Sequence, residues 1–184
     1  MSIDLHGPGL WYATRATGLV TLLLLTVSVL LGLLTAGRFA RAGWPRFLSQ
    51  GLHRNVSLLV LAFLALHVAT TVADTYTSIP LTAAFIPFAA AYKAGWLSLG
   101  AVALDLLLAL VATSLIRNRL GHRAWRRVHW LACACWPVAV AHGVGIGTDR
   151  STAWVLALSF GCVLAVVAAA AWRLVAAARL GRVQ

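Results

Sequence analysis

Long apolar stretches separated by short clusters of charge dominate the sequence. Five stretches, taken between charged residues, approach or exceed the roughly 20 residues that a helix needs to cross the hydrocarbon core of a bilayer. They cover residues 16–37, 55–73, 94–116, 128–148 and 151–172, and only Asp105 interrupts them. We therefore predict five transmembrane helices, over residues 13–36, 53–75, 93–117, 124–147 and 151–178.

A sixth uncharged stretch, residues 75–92, does not fit a membrane crossing. It begins with several Ser and Thr residues and contains Pro80 and Pro87. Proline inside a helix removes a backbone hydrogen bond, which is costly in lipid. This stretch is predicted to be a surface loop or a shallow interfacial segment.

The composition agrees with an all-α integral membrane bundle. Of the 184 residues, 61% are hydrophobic and 10% are charged, with a mean hydropathy of +0.89, well beyond the balance of soluble domains. The stretches outside the predicted helices are too short to encode a soluble nucleotide-binding or flavin-binding domain. We expect residues 1–184 to form a single transmembrane domain.

The positive charge is distributed unequally between the two sides of the predicted bundle. Fifteen Lys and Arg residues outweigh four acidic residues. Four of the fifteen lie between helices one and two, five between helices three and four, and three at the C-terminus. Because basic residues are retained in cytoplasmic loops, we predict an extracytoplasmic N-terminus and a cytoplasmic C-terminus in the cell membrane. This asymmetry explains the net charge of +11 without a nucleic-acid partner.

Four histidines form two pairs at matching heights. His53 and His67 are 14 residues apart on the second predicted helix, and His129 and His142 are 13 apart on the fourth. These separations correspond to about 21 and 19.5 Å of helical rise. The two helices run in the same direction, so His53 and His129 share a depth near the inner face, and the other two share a depth nearer the outer face. Two imidazoles at each depth are the ligands that two bis-histidine haems need.

The 13-residue spacing presents an angular difficulty. At 100° per residue, 14 residues end about 40° short of four turns, whereas 13 residues end about 140° short. A regular fourth helix would therefore direct one ligand away from its partner. We expect tilt, a local change of winding or a kink, and Pro137 is either the cause of such a kink or an ordinary membrane proline.

Two further residues within the spans are candidates for the site. Asp105 is the only acidic residue in a predicted span. It is predicted either to accept a bond from the distal nitrogen of an axial histidine or exchange a proton, or to bond a neighbouring helix as a neutral acid. Trp136 lies between the heights of His129 and His142, where it either fills the space between the haems or only packs.

Four arginines are candidate partners for haem propionates, which seek basic groups. Three are predicted near the inner haem, Arg54, Arg126 and Arg127, and Arg15 is predicted near the outer one. The alternative is that they reflect membrane topology alone. The aromatic residues near the span ends are predicted to be interfacial anchors: Trp11, Tyr12, Trp96, Trp125 and Trp130.

The histidine spacing, the run LGHRAWRRVH that ends at His129, and Arg15 with Gly18 together resemble a known family. This is the ferric-reductase-like transmembrane domain, found in ferric reductases, NADPH oxidases and the haem-binding subunit of the periplasmic methionine sulfoxide reductase system. The resemblance implies that the four histidines are axial ligands of two b-type haems and that the protein conducts electrons across the membrane. It also implies a cytoplasmic flavoprotein or a membrane quinol as donor, and ferric iron, oxygen or an extracytoplasmic redox protein as acceptor. Whether the chain is an enzyme in its own right stays open.

Two other functions are compatible with the histidines. A transporter or sensor for a transition metal would use them as successive ligands, because imidazole also binds Zn, Cu and Ni. Such a path normally recruits carboxylates, and here only Asp105 lies within the spans. In a purely structural membrane subunit, the histidines would be incidental.

Overall fold

The computed structural model describes residues 8–36, 45–75, 77–148 and 152–181. Within these ranges the regular structure is helical, without strands. Five helical segments are long and apolar enough to cross a membrane: Gly9–Ala36, Phe47–Ala73, Ala94–Leu115, His122–Ile146 and Ala153–Ala178. The predicted all-helical architecture with five membrane-spanning segments is confirmed.

The helices are α1 (Pro8–Ala36), α2 (Arg46–Ala73), α3 (Ala94–Leu115), α4 (Arg117–Leu120), α5 (His122–His129), α6 (Ala132–Ile146) and α7 (Ala153–Gly181). The first two begin earlier than predicted, at Pro8 rather than residue 13 and at Arg46 rather than residue 53. Proline suits the first turn of a helix because its missing N–H has no partner there in any case. The fourth predicted helix is interrupted at Trp130 and Leu131.

The segment that precedes α3 forms a short 3-10 helix, Leu81–Ala84, followed by turns. The backbone N–H of Phe88 donates to the Ser98 hydroxyl at 2.8 Å, which ties these turns to the first part of α3. Ser98 and Ala101 are buried there. The structure thus agrees with the loop predicted from the two prolines.

The chain packs as two compact units. The first comprises Met1–Leu22 and Phe63–Arg150. In its core, α3 packs against α6 through Ala103, Leu110 and Cys135. The Cys135 thiol donates to the Ala103 carbonyl at 3.4 Å. Small residues at this contact allow the two backbones to approach closely, as is usual between membrane helices.

The second unit comprises Leu23–Ala62 and Ser151–Gln184. Here Ser28 of α1 and Ser57 of α2 join their hydroxyls at 2.9 Å, and Ser57 also donates to the His53 carbonyl at 2.7 Å. Val60 is almost completely buried. Paired hydroxyls satisfy one another in an environment that offers no water.

Candidate functional site

His67 of α2 and His142 of α6 face one another within the first unit. Their ring centroids are 6.5 Å apart, and their planes are inclined at 78°. An imidazole nitrogen binds a first-row metal at about 2.0–2.1 Å and lies about 1.2 Å from its ring centre, so two imidazoles on opposite sides of one metal have centroids about 6.4 Å apart. The observed separation fits a single metal atom between the two rings.

Backbone carbonyls hold both rings by the nitrogen that would face away from the metal. His67 Nδ1 donates to the Thr14 carbonyl at 2.9 Å, and His142 Nδ1 donates to the Trp96 carbonyl at 2.8 Å. A carbonyl can only accept, so each Nδ1 carries the proton. Each Nε2 therefore keeps its lone pair for a metal, which is the arrangement that metal-ligating histidines adopt almost universally.

Glycines leave the space that these rings occupy. A Cβ atom at Gly100 of α3 would lie 2.6 Å from His142 Cε1, and one at Gly18 of α1 would lie 3.0 Å from His67 Cε1. Both distances are shorter than side chains tolerate without displacement. Each imidazole thus lies directly against a bare stretch of helix backbone, which restricts its orientation.

Arg15 belongs to the same unit as the His67 and His142 pair. Its guanidinium donates to the Thr148 hydroxyl, just beyond α6, and lies 4.8 Å from the ring centre of Trp11. Cation–π contacts of this kind favour a fixed arginine. The Arg15 side chain therefore links the first turns of α1 to the end of α6, in the unit that contains His67 and His142.

His53 repeats the same arrangement in the second unit. Its Nδ1 donates to the Ser28 carbonyl at 2.9 Å. The ring lies near Gly32 of α1, where an added Cβ would be 3.6 Å from His53 Cε1, an ordinary contact distance. His53 is thus a third histidine whose Nδ1 is held by a backbone carbonyl.

His129, at the end of α5, is held by an aromatic ring. It stacks on Trp125 with centroids 4.9 Å apart and planes inclined at 27°. The Trp125 indole N–H donates to the Ser114 hydroxyl of α3 at 3.3 Å. Trp125, predicted to be an interfacial anchor, therefore positions a candidate ligand. His129 belongs to the first unit and His53 to the second, so each is described by itself.

The backbone between His129 and His142 changes its winding, as the angular difficulty required. Three i→i+3 bonds of 2.9–3.0 Å lie here: the N–H groups of Leu131, Cys133 and Ala134 donate to the carbonyls of Val128, Trp130 and Leu131. Each residue of such a turn rotates about 20° further than in an α-helix, so four of them recover about 80° of the deficit. The tighter turn precedes Pro137, and α6 continues through that proline.

The other predicted site residues take varied positions. Asp105 is exposed on α3, and the carbonyls of Thr14 and Trp96 occupy the position predicted for its carboxylate. Its predicted bond to an axial histidine is therefore not what the structure shows for this pair. Trp136 is buried, whereas the three arginines predicted for the inner haem are exposed: Arg54, Arg126 and Arg127.

Among the described residues, no group of three or more His, Cys, Asp or Glu side chains could hold a metal ion. A macrocycle differs from a bare ion in this respect because it supplies four ligands itself and needs only two from the protein. The His67 and His142 pair meets that requirement.

The sequence did not reveal the backbone carbonyls that bond the histidine rings, nor most of the glycines that lie against those rings. Every residue carries a carbonyl, so nothing in the sequence distinguishes Thr14 and Trp96 as acceptors. The spacing of four residues between Trp125 and His129 was a usable signal, since it places the two side chains on one face of a helix.

Comparison with protein-family models identifies the family of the chain. A family model described as ferric reductase like transmembrane component matches residues 17–140, which is more than half of the chain. The match includes three of the candidate ligands and ends two residues before the fourth, His142. Neither the curated proteins nor the solved structures compared with the chain gave a match. The chain belongs to the ferric-reductase-like transmembrane family, and its role is electron transfer in a membrane.

Proposed function

We propose that the protein is a di-haem cytochrome of b type that conducts electrons from one side of the membrane to the other. His67 and His142 would hold one haem, and His53 and His129 the other. The observation that carries this proposal is the 6.5 Å separation of the His67 and His142 rings, together with the carbonyl bonds that leave both Nε2 atoms free. We further propose that residues 1–184 act as one haem-binding domain.

The residues of the chain prepare the site for this chemistry. When bound, haem supplies the reversible Fe(III)/Fe(II) change that carries the electron. The carbonyls of Thr14, Trp96 and Ser28 orient the ligand rings and increase their basicity. Apolar spans exclude water, and buried Trp136 fills part of the interior of the first unit.

The proposed orientation rests on the charge distribution, and the proposed direction of transfer rests on analogy with the family. Twelve of the fifteen basic residues lie in the loops and C-terminal segment that would share one side of the membrane. This asymmetry supports an extracytoplasmic N-terminus and a cytoplasmic C-terminus in the cell membrane. Electrons would enter at the His53 and His129 haem from a flavoprotein or a quinol. They would leave at the other haem to ferric iron, oxygen or an extracytoplasmic redox protein. Arg54, Arg126 and Arg127 are proposed to hold the inner propionates and Arg15 the outer ones.

A dithionite-reduced minus air-oxidised absorption spectrum of the purified full chain tests the proposal. Two b-type haems per chain, quantified as the pyridine complex, are expected, with the low-spin bands of bis-histidine ligation. A chain that stays colourless after reconstitution with haem would overturn the proposal. Stoichiometric binding of zinc or copper by such a colourless chain would instead support the metal-transport alternative.

Replacement of Trp125 by leucine is expected to weaken the haem held by His129. Stacked aromatic pairs contribute about 0.5–1.5 kcal/mol beyond burial, so the inner haem should be retained about two- to tenfold less well. The electron paramagnetic resonance signal of that haem should also shift, because the ring of His129 loses the aromatic ring on which it stacks.

Trp130 provides a matched control for this experiment, since it is exposed and lies five residues further along. Trp130→Leu should leave the resonance unchanged, and Trp125→Phe should preserve most of the stacking. Equal shifts in Trp125→Leu and Trp130→Leu would show that Trp125 does not position His129.

A further inference from the structure

Asp105 is an acidic side chain on the outside of a membrane-spanning helix. It lies near the middle of α3, eleven residues after Ala94 and ten before Leu115, and it is exposed. Among the described residues it has no hydrogen-bond or ion-pair partner. A carboxyl at this depth is costly against lipid, and ionisable residues within spans nearly always face protein or a water-filled cavity.

The surroundings of Asp105 form an uncovered strip on α3. The opposite side of the helix packs on α6 through Ala103 and Leu110. Nearer the start of α3, the turns that include Phe88 reach the helix, and Ala101 there is 2% exposed. Beyond that point the exposed side chains recur at spacings of three or four residues. We name these residues the Asp105 face: Val102, Asp105, Leu108, Ala109 and Ala112.

The residue types on the Asp105 face suit contact with another helix. Ala109 and Ala112 allow a second backbone to approach closely, which is how membrane helices associate. The unpaired carboxyl then requires a hydrogen-bond donor at the same depth. A lysine or arginine would both donate to the carboxyl and complement its charge. A second copy of this chain could not supply one at this depth, because its five long apolar stretches contain no Lys or Arg.

From this geometry we infer that the Asp105 face binds a transmembrane helix of a different protein, and that this helix carries a lysine or arginine near the middle of its span. Arginine or lysine paired with Asp105 would remove the cost of the isolated carboxyl. The small side chains of Ala109 and Ala112 would determine how closely the two helix backbones approach.

Site-specific photocrosslinking in native membranes tests this inference. A benzophenone side chain is introduced at Leu108, and as a matched control at Leu164, an exposed leucine of α7. The Leu108 probe is expected to capture a peptide from another protein's transmembrane helix that contains Lys or Arg within one turn of the crosslinked residue. The Leu164 probe should not capture it. Adducts with a second copy of this chain, or with lipid alone, would overturn the inference.

Two further variants separate loss of the contact from loss of the fold. Asp105→Leu and Ala112→Trp should each lower the crosslink yield at Leu108 about tenfold, the first by removing the charge and the second by steric exclusion. Ala168→Trp, on an exposed alanine of α7, should leave the yield unchanged. Haem content per chain reports whether each variant folds. An unchanged yield in both Asp105→Leu and Ala112→Trp would also contradict the inference.

Discussion

Replacement of either His67 or His142 by alanine is expected to leave the chain with one haem instead of two. In the proposed site each ring supplies one of the two protein ligands, and the ring that remains cannot occupy both positions, because the two rings lie on opposite sides of the gap, 6.5 Å apart between centroids. Loss of groups that merely support a ligand weakens metal binding about 10–100-fold, so loss of the ligand itself should exceed that range. Haem per chain, measured as the pyridine complex, should fall by half.

His122 supplies the control for these variants. It lies on α5, is exposed, and contacts Trp125 at 5.7 Å between centroids. His122→Ala should keep both haems and the low-spin spectrum. Two haems in His67→Ala and in His142→Ala, with an unaltered spectrum, would show that this pair is not a ligand set.

The second expected effect is a graded response to alanine at the glycines beside the rings. Gly100→Ala should displace His142 most, because the new Cβ would lie 2.6 Å from the ring, and Gly18→Ala should displace His67 less, at 3.0 Å. Overpacking of this kind costs about 1–3 kcal/mol. Both variants should therefore lose part of the outer haem and change its midpoint potential. Gly100→Ala should show the larger effect on both measurements, and Gly18→Ala the smaller.

Two other glycines complete the series. Gly32→Ala places its Cβ 3.6 Å from the His53 ring, and Gly95→Ala meets no atom within 4 Å. Both variants should retain two haems with unchanged potentials. If Gly95→Ala altered the outer haem as much as Gly100→Ala, the effect would reside in the backbone of α3 rather than in contact with His142.

The five spans could be predicted because the bilayer imposes a length, and charged residues mark where each stretch ends. The shared depth of His67 and His142 could be predicted from two facts: their helices run in the same direction from histidines beside basic residues, and spacings of 14 and 13 residues correspond to nearly the same height. The helix ends were less predictable. Pro8 and Arg46 begin their helices in polar sequence, where hydropathy gives no signal.

The orientation of the histidine rings could not be predicted, because it depends on hydrogen bonds to backbone atoms. Thr14 and Trp96 act through their carbonyls, which are the same in every residue. The angular deficit between His129 and His142 indicated that the backbone must change, and Pro137 was the visible candidate. The tighter turn instead lies before that proline, around Trp130 and Leu131. Neither residue type is one from which a change of winding could be predicted.

Under the proposed function, the fixed gap between His67 and His142 would couple folding to cofactor supply. The Nδ1 bonds to backbone carbonyls fix the orientation of both rings, which reduces the side-chain freedom that a ligand held between them would have to restrict. A ligand that binds only the folded state raises its stability in proportion to the logarithm of ligand concentration. Under the proposed function, the amount of intact protein in the membrane should rise and fall with the haem available to the cell during its synthesis.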